Sequence, residues 1–201
     1  RKECPDAIIQ PSTGGAVGMT DLERLASTEV VPTPEMATLD CGTCNFGGDE
    51  IFINTDNTIV NFAKILQENP SIEVVIDLHR DGVAETTHLL TEVDGKKMAK
   101  IMFFNGLSYS RVNGDIGYLY NPYRDDNLAM SLQMQLIGKA YYPDFLRNIY
   151  VNAYRYCLHE RGRSMLIEAG AQTNTVEEVK NAMEPLADIL NKFLSGEKVY
   201  E

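Results

Sequence analysis

The feature that most constrains this chain is a β-branched apolar run over residues 72–76, which passes directly into Asp-Leu-His-Arg-Asp-Gly over residues 77–82. A nearly continuous apolar run is typical of a strand covered on both faces, so we predict a buried central strand here. Asp81-Gly82 is the turn signal that closes it. Because ligands of open α/β sheets bind outside the carboxyl ends of the strands, the polar residues that follow are candidate site residues.

Two ionisable residues, His79 and Glu168, stand out at such strand ends, and we expect their side chains to come from different strands and to face one cleft. His79 can coordinate a metal or act as a general base, although a hydrogen-bonded strand end remains the alternative. Within the stretch 163–169, Met165, Leu166 and Ile167 predict a second short buried strand, and Glu168 sits at its end. Burial raises the pKa of a carboxyl group in that position, which suits Glu168 to proton transfer near neutral pH. The alternative for Glu168 is that it caps the following turn.

The rest of the chain alternates between helical and strand patterns. Asp94-Gly95, flanked by apolar segments, predicts a β-hairpin over residues 87–104, and residues 101–104 are apolar enough for a core strand. Thr175 with Glu178 three residues later predicts the start of a helix that ends near Gly196. Helices are also predicted over residues 20–26, 57–68, 126–137 and 145–158, with a long loop over 108–125. This alternation predicts an α/β fold.

Composition limits the possible partners. The chain has 201 residues and a formal net charge of −11, which disfavours nucleic acid and anionic lipid as partners. No stretch reaches the roughly 20 apolar residues that span a bilayer. We expect any membrane attachment to come through a segment absent from this sequence.

The N-terminal part has little periodicity. Residues 1–50 are rich in proline and glycine and are predicted to be an irregular extension or linker, ahead of a domain over residues 51–196. Cys41 and Cys44 form one C-x-x-C pair, which could be redox-active or half of a zinc site. No second pair or nearby histidine completes a metal site.

Several motifs together resemble the stage II sporulation protein P family, over about residues 57–194. They are Ile-Asp-Leu-His-Arg-Asp at 76–81, Phe-Phe-Asn-Gly at 103–106, Asn-Pro-Tyr at 121–123, Tyr-Arg-Tyr at 154–156 and Leu-Ile-Glu-Ala-Gly-Ala-Gln-Thr-Asn-Thr at 166–175. The family's members are peptidoglycan hydrolases of the zinc-dependent N-acetylmuramoyl-L-alanine amidase type. The resemblance implies an amidase-like three-layer sandwich, with a central mixed or parallel sheet flanked by helices.

The resemblance also implies roles for particular residues. His79 would be a zinc ligand and Glu168 the catalytic acid and base. Arg80, Asn105 and Asn174 would contact substrate, with Arg80 suited to pairing with a carboxylate of the stem peptide. The implied substrate is peptidoglycan, the setting is engulfment during sporulation, and other engulfment proteins are implied partners. In the family the catalytic domain is extracytoplasmic, faces the cell wall and is anchored in the membrane.

One departure from the family pattern concerns the metal. The family takes a second histidine and a glutamate ligand from a Thr-His-Thr-x-x-Glu stretch upstream, and this sequence has no histidine before His79. Two hypotheses therefore stay open. The chain is an amidase, or it is a catalytically degenerate member that binds the cell wall or a partner. We interpret His88 and His159 as structural residues, His159 as the end of the helix predicted over 145–158.

Overall fold

The structure is a computed structural model that describes residues 18–26, 44–47, 50–52 and 56–199. The chain divides into two compact units, Arg1–Pro70 and Ser71–Glu201.

In the first unit, helix α1 spans Asp21–Leu25, and Thr20 forms a capping box with Glu23. Strands β1, Cys44–Gly47, and β2, Glu50–Phe52, pair antiparallel, and helix α2 spans Asp56–Glu68. The helices predicted over 20–26 and 57–68 are thus present. Most of the predicted extension over 1–50 lies outside the described residues, as does Cys41, and the predicted boundary at residue 50 stays a prediction.

The second unit contains the remaining elements. In chain order they are β3 (Val75–Asp81), β4 (Leu90–Val93), β5 (Lys96–Ala99), β6 (Ile101–Gly106), β7 (Tyr109–Ser110), β8 (Gly114–Asp115), a 3₁₀ turn (Gly117–Leu119), α3 (Arg124–Tyr141), β9 (Tyr150–Asn152), β10 (Ser164–Ala171) and α4 (Val176–Leu194). Four of the strands form one sheet, in the order β3-β10-β6-β9. β10 is parallel to β3 and antiparallel to β6, while β6 and β9 are parallel.

Helices α3 and α4 pack on one face of this sheet. Alternate residues of β6 and β10 point toward them, because successive side chains of a strand point to opposite faces. The buried core on this face includes Met98, Ile101, Phe103, Met130, Met134, Phe145, Met165, Ile167, Ala182 and Ile189. The predicted class, a mixed α/β fold with a mixed sheet and flanking helices, is confirmed, whereas the three-layer amidase-like arrangement stays a prediction.

The β4–β5 hairpin confirms the strongest turn signal of the sequence. Val93 pairs with Lys96 across the two-residue loop of Asp94 and Gly95. Both loop residues have positive φ, 49° and 77°, as a type I′ turn requires. The hairpin buries Met98 and Ala99 against α4.

Two predictions in the second unit are wrong. β3 was predicted to be a buried central strand, but it pairs only with β10 among the described strands, and Ile76 and Leu78 are 37% and 53% exposed. The inner strands of this sheet are β10 and β6, and every residue of β6 is buried. The helix predicted over 145–158 is also absent: residues 150–152 form β9 beside β6, followed by turns. The apolar residues of this segment have helical spacing, but its tyrosines and β-branched residues favour a strand, and residues 150–152 pair with β6.

Candidate functional site

The register between β3 and β10 brings the two principal candidate residues together. Glu168 is directly paired with His79, and Leu166 with Asp77. Paired residues of neighbouring strands point to the same face of a sheet. His79 and Glu168 therefore lie side by side on the face opposite α3 and α4, which we call the open face. The structure thus places them as the sequence predicted, while their chemical roles stay predictions.

The imidazole of His79 is held by a carboxylate on its own strand. Its Nε2 lies 2.9 Å from Oδ1 of Asp77, two residues earlier and on the same face. The hydrogen bond to Asp77 raises the pKa of His79, burial opposes this, and the charges of Asp77 and Glu168 add to the rise. Because an ionised carboxylate can only accept, Nε2 of His79 donates to Asp77, and in a neutral His79 the other ring nitrogen, Nδ1, is the one that can accept a hydrogen bond or bind a metal.

Glu168 combines a perturbed carboxyl group with an unsatisfied atom. Burial raises its pKa, and the charge of Asp81 adds to this, while His79 and Arg147 oppose it. Its Oε2 is buried and has no hydrogen-bond partner among the described residues. A buried acceptor without a partner is unusual and costly. The natural explanation is that Oε2 pairs with a group that is present only while the protein functions.

A further ion pair borders this site. Nη1 of Arg147 donates to Oδ2 of Asp81 at 2.7 Å, and both side chains are about three-quarters buried, at 25% and 23% exposure. Sequence reasoning missed Arg147, which lies in the segment that was predicted to be helical. No local motif marks it, since its position depends on the backbone bond from its N–H to Ile101 O.

Arg80 is not placed to bind a substrate carboxylate, which corrects the prediction. It follows His79 on β3 and so points to the other face. Its Nε and Nη2 donate to Ala171 O at 3.1 and 2.6 Å, and Nη2 also donates to Asn174 O. The guanidinium satisfies backbone carbonyls where β10 ends, which is a structural task.

Asn105 and Asn174 are also structural in this fold, and their predicted substrate contacts are corrected. Asn105 is 1% exposed, and its side chain exchanges hydrogen bonds with the hydroxyl of Ser131 on α3. Asn174 is 5% exposed. Its Oδ1 accepts from Ala171 N–H, and its Nδ2 donates to Leu89 O and Glu178 Oε2. The side-chain amides of both residues thus form their hydrogen bonds within the protein.

The other two histidines take structural positions. Nε2 of His88 lies 2.8 Å from Oε2 of Glu178, a member of the capping box at the start of α4. His159 does not end a helix, contrary to the prediction, but lies in a turn with its Nε2 2.9 Å from Oε1 of Glu160. Burial lowers the pKa of His159, the charge of Glu160 opposes this, and Arg155 adds to it.

The described residues do not assemble a zinc centre. A catalytic zinc takes three protein ligands and leaves one position for water. Within the part of the chain that the structure describes, no group of three or more His, Cys, Asp and Glu side chains is placed to hold a metal ion. His79 and Asp77 satisfy one another instead. The side chains in the described ranges therefore do not fit the metal that the resemblance implies.

No helix in the described ranges is long and apolar enough to cross a membrane. This finding concerns those residues alone.

Comparisons with known proteins divide the chain. The family model described as Stage II sporulation protein P matches residues 56–191. The model described as beta-keto acid cleavage enzyme matches residues 1–103. The two matches overlap over residues 56–103, which include α2, β3 and the β4–β5 hairpin.

Curated relatives match through the second family. A 3-keto-5-aminohexanoate cleavage enzyme of Fusobacterium nucleatum is 75% identical over 77 residues, which are 37% of this chain and 28% of that enzyme. The enzyme of that name from Acetoanaerobium sticklandii is 66% identical over 77 residues, with the same coverage. The chain thus spans less than a third of the length of these relatives. No solved structure matches.

The match to the sporulation family spans the sheet, both long helices and the paired His79 and Glu168. Membership of that family links the chain to sporulation, and the second match links its N-terminal part to enzymes that cleave keto acids. Through residues 56–191 the chain belongs to the Stage II sporulation protein P family, and through residues 1–103 it belongs to the beta-keto acid cleavage enzyme family.

Proposed function

We propose that the second unit acts on peptidoglycan, at the amide between N-acetylmuramic acid and L-alanine of the stem peptide. The observation that carries the proposal is Glu168, whose buried Oε2 lacks a partner among the residues that the structure describes and lies on the open face beside His79. An amide hydrolase needs a group that takes a proton from water and returns it to the leaving nitrogen. A carboxyl group with a raised pKa, beside a second ionisable group, suits that task.

The mechanism that these residues support is proton transfer. Glu168 takes the proton of the attacking water and then delivers it to the nitrogen of L-alanine. Asp77 orients the ring of His79 through the hydrogen bond at 2.9 Å. The Arg147–Asp81 pair places one cation and one anion next to Glu168: the charge of Asp81 adds to the rise in the pKa of Glu168, and that of Arg147 opposes it.

The missing metal ligands favour a reduced activity. In the family zinc would polarise the amide carbonyl and activate water, but the described side chains do not supply three ligands. We therefore propose that this chain binds the cell wall, binds zinc weakly, and cleaves the amide poorly. This joins the two hypotheses from the sequence: the catalytic scaffold is retained while catalysis is degenerate.

The setting proposed for this activity is the cell-wall side of the membrane during engulfment. A peptidoglycan substrate requires access to the wall, and other engulfment proteins are the expected partners. The net charge of −11 disfavours direct binding to anionic lipid.

The test combines three measurements on the purified chain. Sedimentation with isolated cell walls measures binding, zinc competition against a chelator measures metal affinity, and release of stem peptides measures hydrolysis. We expect wall binding, zinc affinity at least about tenfold weaker in His79→Ala, and little peptide release. Failure of the chain to sediment with walls would refute the proposal.

Activity would also be informative. If the chain releases stem peptides, Glu168→Gln should reduce the rate about a hundred- to ten-thousand-fold, because glutamine keeps the shape but cannot carry the proton. His88→Ala is the matched control, since His88 contacts Glu178 in the first turn of α4 and not Glu168. Tight stoichiometric zinc with robust hydrolysis would contradict the proposed deficiency and would place the missing ligands outside the described residues.

A second activity, cleavage of a β-keto acid, is favoured by one observation, the 75% identity over 77 residues. That segment makes up 28% of the relative, so we expect turnover of 3-keto-5-aminohexanoate far below that of the Fusobacterium enzyme. Both proteins are assayed side by side. Comparable turnover that survives Glu168→Gln would assign this activity to the N-terminal part and overturn that expectation.

A further inference from the structure

The open face of the sheet carries a cluster of aromatic side chains that the proposed proton transfer does not use. The cluster consists of Phe104, Tyr150, Tyr154 and Tyr156, and we call it the tyrosine patch. The rings of Phe104 and Tyr150 have centroids 5.1 Å apart, and those of Phe104 and Tyr156 are 4.7 Å apart and edge to face. Tyr154 and Tyr156 are 6.3 Å apart, also edge to face.

The patch shares its face with the candidate catalytic residue. Phe104 pairs with Leu166 on β10, and Glu168 follows two residues later on the same side of that strand. Two residues of a strand span about 7 Å. The patch therefore begins about 7 Å from Glu168, with Leu166 and Met102 forming an apolar floor between them.

The rings are held in place and are nevertheless accessible. Tyr156 accepts a hydrogen bond from Nδ2 of Asn152 at 2.8 Å. Gly106 allows the backbone of Tyr154 and Arg155 to approach so closely that a Cβ there would lie 2.3 Å from Tyr154 O. In contrast, Tyr150 is 48% exposed and Tyr154 is 59% exposed. A rigid aromatic surface that stays exposed offers binding area at little cost in side-chain entropy.

Charge restricts what such a surface can bind. The net charge of −11 disfavours a polyanion. Phenol rings and their hydroxyls carry no formal charge, so the patch itself offers no counter-ion to a charged ligand. The class of ligand that suits the patch is an uncharged ring with C–H bonds on one face, because such hydrogens match the negative face of an aromatic ring. A pyranose has this chemistry, and its hydroxyls can pair with tyrosine hydroxyls.

We infer that the tyrosine patch is a subsite for a pyranose ring of the glycan, adjacent to the position where Glu168 acts. The inference rests on the proposed function, because it takes the sugar from the same polymer. In peptidoglycan a short lactyl ether joins the sugar to the reacting amide. A sugar on the patch, about 7 Å from Glu168, would therefore hold that amide near the carboxyl group.

The test uses a sugar without a peptide. A β-1,4-linked tetramer of N-acetylglucosamine is titrated into the whole chain, with ¹³C-labelled tyrosine observed by NMR and affinity measured by calorimetry. We expect shifts at Tyr150, Tyr154 and Tyr156. Tyr154→Ala and Tyr150→Ala should each weaken binding about tenfold, which corresponds to about 1.4 kcal/mol. Tyr154→Phe should keep the affinity within about twofold, because the ring stays.

Tyr141→Ala is the matched control. Tyr141 is 46% exposed, like Tyr150, but lies at the end of α3 on the opposite side of the sheet. Circular dichroism and thermal unfolding check that each variant folds. Equal affinity of Tyr154→Ala and the original chain would overturn the inference. No saturable binding of the tetramer, or stronger shifts at these tyrosines with free stem peptide, would overturn it as well.

The two proposals fail separately. If the chain sediments with cell walls and the tyrosine variants sediment equally well, the subsite is refuted and the proposed function stands. If the chain does not sediment with walls, the proposed function is refuted, and the tetramer titration shows whether the patch binds sugar independently of it.

Discussion

Arg147 and Asp81 form a 2.7 Å ion pair that spans the strand carrying Glu168. Arg147 follows Leu146, which forms a β-bridge with Ile101 at the start of β6. Asp81 is the last residue of β3. Strand β10 lies between β3 and β6 in the sheet. The pair therefore ties together strands that do not contact each other by backbone hydrogen bonds. It also places both charges beside the proposed proton-transfer group.

Arg147→Met should destabilise the second unit. The change keeps much of the apolar stem but leaves the carboxylate of Asp81, which is 23% exposed, without its partner. Loss of a hydrogen bond to a charged, mostly buried group typically costs about 1–3 kcal/mol of unfolding free energy. Urea denaturation monitored by circular dichroism measures the loss.

Arg124→Met is the control for that substitution. Arg124 makes an ion pair with Asp115 at the same distance of 2.7 Å, but Asp115 is 75% exposed. Exposed pairs contribute roughly 0–1 kcal/mol, so the control should lose clearly less stability. Equal losses in the two variants would contradict a special role for the Arg147–Asp81 pair.

The decrease in the free energy of unfolding at acidic pH should depend on Glu178. Burial alone would raise its pKa, but hydrogen bonds from His88, Asn174 and the Thr175 backbone lower it to about 2. A carboxyl group with a lowered pKa contributes stability above its ordinary value of 4.5, and this is lost as the pH falls toward about 2. Glu178→Gln should therefore flatten the fall in stability between these pH values.

The measurement is the midpoint of thermal unfolding at several pH values from neutral to acid. Glu177→Gln is the control, since Glu177 is the preceding residue of the same first turn and is exposed. In this control, the midpoint of thermal unfolding should fall with decreasing pH nearly as steeply as in the original chain. A Glu178→Gln curve that parallels this control would show that another carboxyl group governs acid unfolding.

Local signals in the sequence predicted much of this fold because their structural consequences are local. The capping boxes at Thr20 and Thr175 and the Asp94-Gly95 turn each act within a few residues, and all form as expected. The pairing of His79 with Glu168 followed from two strand ends in one sheet. That rule applies because parallel neighbours align their carboxyl ends.

The failures share a different cause, which is that burial depends on distant partners. The run over 72–76 is as apolar as a central strand, but β3 has one neighbour among the described strands. Asn105 looked available in a motif, yet Ser131, 26 residues away, takes its amide. Arg147 carries no motif, because its position at the site depends on Ile101 and Asp81.

Asn127 should be essential for the turn that leads into β10. It is 2% exposed; its Nδ2 donates to Leu158 O at 2.7 Å and its Oδ1 accepts from Ser164 N–H at 2.8 Å. Asn127→Ala would leave both backbone groups buried without partners, at a cost of about 1–3 kcal/mol each. Asn113→Ala, in an exposed loop, should be nearly neutral, and comparable urea midpoints for the two variants would refute this assignment.

Gly106→Ala tests whether close backbone packing holds the tyrosine patch. A Cβ at this position would lie 2.3 Å from Tyr154 O and 2.7 Å from the carbonyl carbon of Arg155. Because both contacts are with backbone, the segment itself must move, and overpacking of this kind typically costs about 1–3 kcal/mol. The same movement should shift the labelled resonances of Tyr154 and Tyr156 and weaken binding of the sugar tetramer.

The control is Gly117→Ala, where a Cβ would meet nothing within 4 Å. It should change neither the free energy of unfolding by more than about 0.5 kcal/mol nor the tyrosine resonances. If Gly106→Ala unfolds at the same urea concentration as this control and its tyrosine resonances stay in place, then the segment adapts without cost. The patch would then be mobile rather than preorganised, and its exposed rings would bind a sugar only after losing that freedom.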